Sequence, residues 1–189
     1  KVSQLGLGGW HIGIQRERSE SIRLIQMALD NGINFLDNSN DYNEGQSEIR
    51  MGEAIRGRRG HVFLVTKHNF RDRKSALRDL EISLKRLQTD HLDLWQFHSI
   101  ERVEDPDWIF EKNGAIEAAE QARKQGKVRF IGLSEAAPAT IRRAHRIHPI
   151  IALQTEYSLW TRDPEDEILS LVRELGIGFV AYSPLGRGF

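Results

Sequence analysis

The chain has 189 residues, is 39% hydrophobic and 29% charged, and balances 27 Lys+Arg against 27 Asp+Glu. That is the composition of an ordinary globular domain with one sizeable core; the zero net charge removes the basic footprint of a nucleic-acid-binding domain, and no apolar run of about 18 residues or signal-peptide pattern marks a membrane protein. With no cysteine there is no disulfide framework, thiolate metal site or cysteine nucleophile, and a cytoplasmic location is expected.

Seven apolar, β-branched runs follow one another at residues 2–10, 33–37, 61–67, 92–98, 128–134, 150–154 and 177–182. Their spacing is that of a strand plus a crossover helix, and most are nearly continuous, as in parallel strands covered on both faces. Helical patterns lie between them. The first places Ile22, Ile25 and Leu29 on one face and closes at Asn31-Gly32. The next, at 75–87, carries Leu77, Leu80, Leu84 and Leu87. A third spans 115–124 and stops at Gly126. A fourth, at 140–147, turns Ile141, Ala144 and Ile147 to the core before Pro149. The last takes Asp163 as N-cap and Pro164 at the first helical position, turns Ile168, Leu171, Val172 and Leu175 inward, and ends at Gly176. No linker divides the chain, so residues 1–189 read as one domain. The segment "RGRRGH" at 56–61 reads as a solvated loop. His145 and His148 lack the further ligands of a metal site, and "GLGGWHIG" at 6–13 lacks the register of a dinucleotide-binding glycine loop.

Such alternation fits an open doubly wound sheet or a β/α barrel. The strand ends discriminate. Gly8-Gly9-Trp10, Asp37 with Tyr42, Lys67, His98, Ser134-Glu135, Gln154 and Tyr182-Ser183 stand at or just past the C-terminal ends of successive strands. In an open sheet the outer ends lie too far apart to share a site, whereas in a barrel all of them rim one mouth. The expected fold is therefore an α/β (β/α)8 TIM barrel with about seven β/α units present. The chain opens without Met and ends just after a strand, so it reads as an incomplete barrel.

Four strand-end residues suit proton transfer. A tyrosine phenol has an ordinary pKa near 10, and a cation within hydrogen-bond distance lowers it. Lys67 is the candidate cation, Asp37 the carboxylate that keeps it charged and aimed, His98 a second donor for a carbonyl oxygen, and Tyr42 the acid. Singly, each has a plainer reading: a turn-forming Asp, a packed Tyr, a solvated Lys, a semi-buried His. Their joint occurrence on successive strands carries the interpretation. A tuned general acid contributes ~10²–10⁴ in rate.

These segments resemble the aldo-keto reductases. "LGLGGW", "INFLDNSNDYNEGQSE", "VFLVTKH", "LDLWQFHS", "GKVRFIGLSE", "IALQTEYSLW" and "VAYSPLGRGF" fall in that family's order and spacing along essentially the whole chain. The resemblance implies a (β/α)8 barrel and reversible reduction of aldehydes and ketones with NADP(H), or NAD(H), and without a metal. By motif, Asp37, Tyr42, Lys67 and His98 match the catalytic tetrad, with Tyr42 as proton donor. Ser134 and Gln154 match the positions that hydrogen-bond the nicotinamide carboxamide, and Tyr182 the aromatic that stacks on its ring. Ser183, Leu185 and Gly186 match the loop along the pyrophosphate. Gly8 and Gly9 line the floor, and Trp10 faces the substrate. Glu135 departs from the family's usual Asn. The resemblance also implies that an N-terminal hairpin and a C-terminal eighth unit are absent. The partner is a small carbonyl compound whose identity the residues leave open. A nucleotide-binding regulatory protein on the same scaffold and an inactive barrel fragment are the alternative readings.

Overall fold

A computed structural model of the protein describes residues 1–186. Along them run β1 (Gly6–Gly8), α1 (Arg18–Asp30), β2 (Phe35–Asp37), α2 (Gln46–Ala54), β3 (Phe63–His68), α3 (Arg73–Leu87), β4 (Leu92–Phe97), α4 (Asp105–Phe110), α5 (Ala115–Lys124), β5 (Val128–Ser134), α6 (Pro138–Ile147), β6 (Ala152–Glu156), α7 (Ile168–Leu175) and β7 (Gly178–Tyr182). The strands form one parallel sheet in sequential order, β1 through β7. This is the (β/α)8 barrel architecture with seven units, open between β1 and β7 among the described residues.

Two apolar layers hold it. The larger lies between the sheet and the helices and includes Ile25, Leu36, Leu64, Leu80, Trp95, Ile131 and Leu153, all at most 1% exposed. The smaller fills the concave side with Val65, Leu94 and Ala152, against which Phe35, Phe63 and Phe130 pack. Phe63 stacks on Phe35 at a centroid distance of 5.6 Å. Alternation along each strand assigns its residues to the two layers. At the end opposite the strand C-termini, buried Asp93 accepts from Leu64 N at 2.9 Å, Arg59 Nη2 at 2.8 Å and Arg129 Nη1 at 2.6 Å, tying β3, β4 and β5 together.

Several local expectations change. The segment at 56–61 is not wholly solvated, because Arg59 reaches Asp93, Thr89 and two backbone carbonyls. Asp163 does not cap the last helix: Asp163–Glu165 form a separate 3-10 turn with Pro164 buried, and α7 begins at Ile168. Ile147 is 45% exposed and lies off the core face of α6. Helices α2 and α4 had no forecast. No helix among the described residues is long and apolar enough to cross a membrane.

Candidate active site

The concave apolar residues and the strand-end polar residues share one parity. Two or four positions beyond Phe35, Val65, Leu94, Phe130 and Ala152 stand Asp37, Lys67, His98, Ser134 and Gln154. Register aligns their levels, pairing Lys67 with Gln96 and Ser134 with Gln154 across neighbouring strands. The alternation that fills the barrel therefore turns these groups toward its mouth, where barrel folds place their chemistry.

They surround a cleft of about 910 Å³ lined by Gly8, Gly9, Trp10, Asp37, Tyr42, His98, Ser134, Gln154, Tyr182, Ser183 and Leu185. Lys67 lies beneath this surface, fully buried. Gly186 does not line the cleft; it turns back on Ser183 at 2.9 Å with a φ of +55°. His11, Ser99, Glu135 and Pro184 complete the lining. The residues at 187–189, which end the segment "VAYSPLGRGF", lie outside the described residues.

Lys67 Nζ donates to both carboxylate oxygens of Asp37 and to the Asn38 carbonyl, each at 2.7 Å. The two Asp37 oxygens belong to one carboxylate and lie in one direction from the ammonium, so that carboxylate and the Asn38 carbonyl take at least two of its three N–H bonds. The ammonium stands 5.2 Å from the Tyr42 ring centroid, and no hydrogen bond joins it to the phenol oxygen. The expected lowering of the phenol pKa is therefore not what this arrangement produces. Burial, then the charges of Asp37 and Asp41, raise the Tyr42 pKa above its ordinary value. At neutral pH the phenol is fully protonated. Trp10 meets its ring edge-on at 5.2 Å and His98 at 5.9 Å. Burial and the Lys67 charge lower the His98 pKa to about 4, so its imidazole is neutral at pH 7.

The loop that carries Tyr42 is held from behind. Asn43, Glu44 and Gly45 follow it with φ of +52°, +57° and +83°, in the left-handed region. Gly45 is required on two counts: its backbone conformation favours glycine, and a Cβ there would collide with the Arg86 guanidinium. Arg86 Nη1 donates to the Asn40 carbonyl at 2.9 Å and to Glu48 Oε2 at 3.3 Å. Thr66, next to Lys67, donates to the other Glu48 oxygen at 2.7 Å. Gly52 lets α2 lie directly on the end of α3, because a Cβ would come within 2.5 Å of the Arg86 carbonyl oxygen. Gly45, Glu48 and Gly52 thus present one helix face to α3.

The cleft also has features that fit a nicotinamide. A Cβ built on Gly8 meets nothing within 4 Å, so this position opens directly into the cavity. Ser134 and Gln154 are 2% and 4% exposed, yet neither side chain has a hydrogen-bond partner among the described residues. Glu135 has a φ of +52° and accepts from Glu156 N at 2.9 Å. Burial and the Glu135 carboxylate raise the pKa of Tyr182 beside it. Among the described residues, no three His, Asp or Glu side chains are grouped so as to hold a metal ion.

Comparison with known proteins agrees with this geometry. The model of the Aldo/keto reductase family matches residues 4–189. A probable aldo-keto reductase 1 from Glycine max is 40% identical over 207 residues, spanning 100% of this chain. An aldo-keto reductase from Bacillus halodurans, in its holo form, superposes with a TM-score of 0.88 at 31% identity, covering 99% of this chain and 64% of that one. One from Klebsiella pneumoniae, solved with NADPH, gives 0.88 at 28% identity, covering 98% and 65%. The chain spans 58% of the length of the Glycine max relative. With the family model matching residues 4–189 and solved members sharing the fold, the chain belongs to the aldo/keto reductase family.

Proposed function

We propose that this chain carries the cofactor and proton-transfer site of an NADP(H)-dependent reductase of small aldehydes or ketones, with Tyr42 as the proton donor. One observation carries the reading: the Tyr42 phenol lines the cleft with no hydrogen-bond partner on its oxygen among the described residues, above the Asp37–Lys67 pair. Bound NADPH would supply a hydride to the carbonyl carbon. On this reading Ser134 and Gln154 hold the nicotinamide carboxamide, and Tyr182 stacks on the ring. Ser183, Leu185 and Gly186 follow the pyrophosphate. Gly8 and Gly9 leave room beneath it, and Trp10 faces the substrate. NADPH is preferred to NADH because the Klebsiella pneumoniae neighbour was solved with it.

The raised phenol pKa suits a late proton transfer. Tyr42 keeps its proton while the carbonyl is neutral. As negative charge develops on the oxygen, that oxygen becomes a stronger base than the phenolate, and the proton crosses. Lys67 lies close enough to stabilise the phenolate left behind, while Asp37 keeps the ammonium charged and fixed. Residues 1–189 act on this reading as one barrel domain.

The test is a titration with NADPH, with NADH in parallel, followed by nicotinamide fluorescence. Saturable binding with NADPH the tighter ligand is expected, and Gln154→Leu weakens it by about tenfold through loss of hydrogen bonds to the carboxamide. A folded sample that binds neither nucleotide would overturn the assignment of the cofactor site to this chain.

A further inference from the structure

Trp10 stands on residues 9–17, the loop that joins β1 to α1 and lies outside every strand and helix. Its indole is 53% exposed. Side chains hold the carbonyls of this loop. Ser47 Oγ donates to the Gly9 carbonyl at 2.6 Å. Arg50 Nη1 donates to the Ile12 carbonyl at 2.9 Å and to the Gln15 carbonyl at 2.8 Å. Ser21, on α1, also donates to the Ile12 carbonyl, at 2.7 Å, and Gln15 Nε2 turns back to the His11 carbonyl at 3.2 Å. Ser47 and Arg50 are three positions apart on α2, so both project from one helix face. Among the described residues, the hydrogen bonds of Arg50 all go to this loop and to Ser21, and none to a carboxylate.

Helix α2 also anchors the Tyr42 loop, since it begins directly after Gly45. The two loops touch there. A Cβ on Gly13 would lie 2.0 Å from Asn43 Oδ1, so the Asn43 side chain fills the space that this glycine leaves. Trp10 then meets Tyr42 edge-on at 5.2 Å, and both line the cleft. A half-exposed tryptophan on an untied loop would lose side-chain and backbone freedom each time a ligand packed on it. Fastened through Ser47 and Arg50, it meets the ligand already ordered.

We propose that Arg50 is a positioning residue for Trp10. Together with Ser47 it fastens the loop after β1 to α2, so that Trp10 and Tyr42 face the cleft as one rigid aromatic corner. On the reductase reading, on which this consequence rests, that corner sets substrate preference. A flat aromatic carbonyl compound gains from a ring already in place, because aromatic contacts depend on orientation. A short aliphatic one covers too little of the wall to gain. Arg50 therefore acts on the binding of planar, bulky substrates, and not on the proton transfer or on the nucleotide.

The experiment is ¹⁹F NMR of protein labelled with 5-fluorotryptophan, on the parent, Arg50→Met, Arg50→Lys and Ser47→Ala. The Trp10 signal is assigned by its loss in Trp10→Phe. Arg50→Met removes the donors without stranding an opposite charge, and Ser47→Ala is the milder release of the same loop; unfolding midpoints on both confirm that the fold is kept. The parent should show one Trp10 signal distinct from that of free 5-fluorotryptophan. In Arg50→Met it should broaden or shift toward the free position, in Ser47→Ala it should move the same way by less, and Arg50→Lys, which keeps a cationic donor, should stay nearer the parent. In steady-state assays the KM for benzaldehyde should rise about fivefold in Arg50→Met, the worth of ordering about one side chain on binding. The KM for propanal, kcat and NADPH affinity should stay within about twofold. A Trp10 signal unmoved in both Arg50→Met and Ser47→Ala would overturn the proposal, as would KM values for the two aldehydes that rise together. The ring signal is read without turnover. If no carbonyl is reduced, the reductase reading falls, while the NMR result still decides whether Arg50 fixes Trp10.

Discussion

Lys67 stands beneath the ring of Tyr42, 5.2 Å from its centroid, and donates to Asp37 and Asn38 with no hydrogen bond to the phenol oxygen. It therefore acts on the phenol through space and not through a shared hydrogen. Asp37 is the counter-charge to this ammonium, whose side chain does not reach solvent.

Asp37→Asn should then leave a buried ammonium without its counter-charge. Loss of one partner of a buried pair costs about 3–5 kcal/mol. The urea midpoint should fall accordingly, and turnover with it. A variant as stable as the parent would show that the pair is not coupled to the fold.

Gly8 and Gly9 are adjacent but predict opposite outcomes. A side chain at Gly8 enters open cleft, so Gly8→Val should keep parental stability and weaken NADPH binding by at least about tenfold. A Cβ at Gly9 would lie 2.7 Å from Ser47 Oγ and 2.8 Å from Asn38 Cγ. Gly9→Ala should therefore cost about 1–3 kcal/mol through overpacking. Thermal unfolding and nucleotide titration on both variants separate the two cases.

Arg86 is remote from the cleft but grips the Tyr42 loop through Asn40 and Glu48. Arg86→Met leaves Glu48 buried without its cation, at a cost of about 3 kcal/mol. It also releases a loop in which three successive residues hold left-handed conformations. A shift of about 1 Å in a reacting group costs on the order of 10²-fold in rate. Turnover should drop well beyond any change in NADPH affinity, and equal loss of both would contradict a specific grip on the loop.

Stability should depend on pH through histidines that the fold holds neutral, His68 and His98 most strongly. Burial, then the Arg71 charge, lowers the His68 pKa from 6.5 to about 3, and burial with the Lys67 charge lowers that of His98 to about 4. The unfolded chain takes up these protons near its ordinary pKa, and the folded chain does not. Stability is thus retained above pH 6.5 and lost as pH falls, down to about 4 for His98 and about 3 for His68. Asp79 opposes this: burial raises its pKa to about 6, so the folded state takes that proton first. His68→Phe removes the His68 contribution. Between about pH 5.5 and 4.5 the slope of stability against pH should flatten by about 1.4 kcal/mol per unit. An unchanged slope in denaturant titrations would contradict the neutral, buried state of His68.

Strand positions were legible because parallel strands covered on both faces read as apolar runs, and the residue ending each run named its place at the barrel mouth. Asp37, Tyr42, His98, Ser134, Gln154 and Tyr182 line one cleft, with Lys67 just under it. Helix α2 escaped notice because its buried face is polar or small: Ser47, Glu48, Met51, Gly52 and Ala54 give no apolar periodicity. In α7, Pro164 marked a real helical turn, but one that stops before the main helix begins. Arg59 looked solvated because its carboxylate partner, Asp93, lies 34 residues away in sequence, on β4. The same holds for Ser47 and Arg50, whose acceptors lie in the loop after β1. Nothing in local spacing announces a hydrogen bond that only the folded sheet creates. The rise in the Tyr42 pKa was hidden for a related reason, since Lys67 is a near neighbour whose hydrogen bonds go elsewhere.

The central claim is that Tyr42 gives the proton to the reduced carbonyl at a cofactor site this chain builds. Single-turnover reduction of a simple aldehyde by Tyr42→Phe, alongside NADPH binding by the same variant, tests it most directly. The expected result is a rate lower by about 10²–10⁴, with nucleotide affinity within about twofold of the parent. A variant that reduces the aldehyde at the parental rate while binding NADPH normally would contradict it.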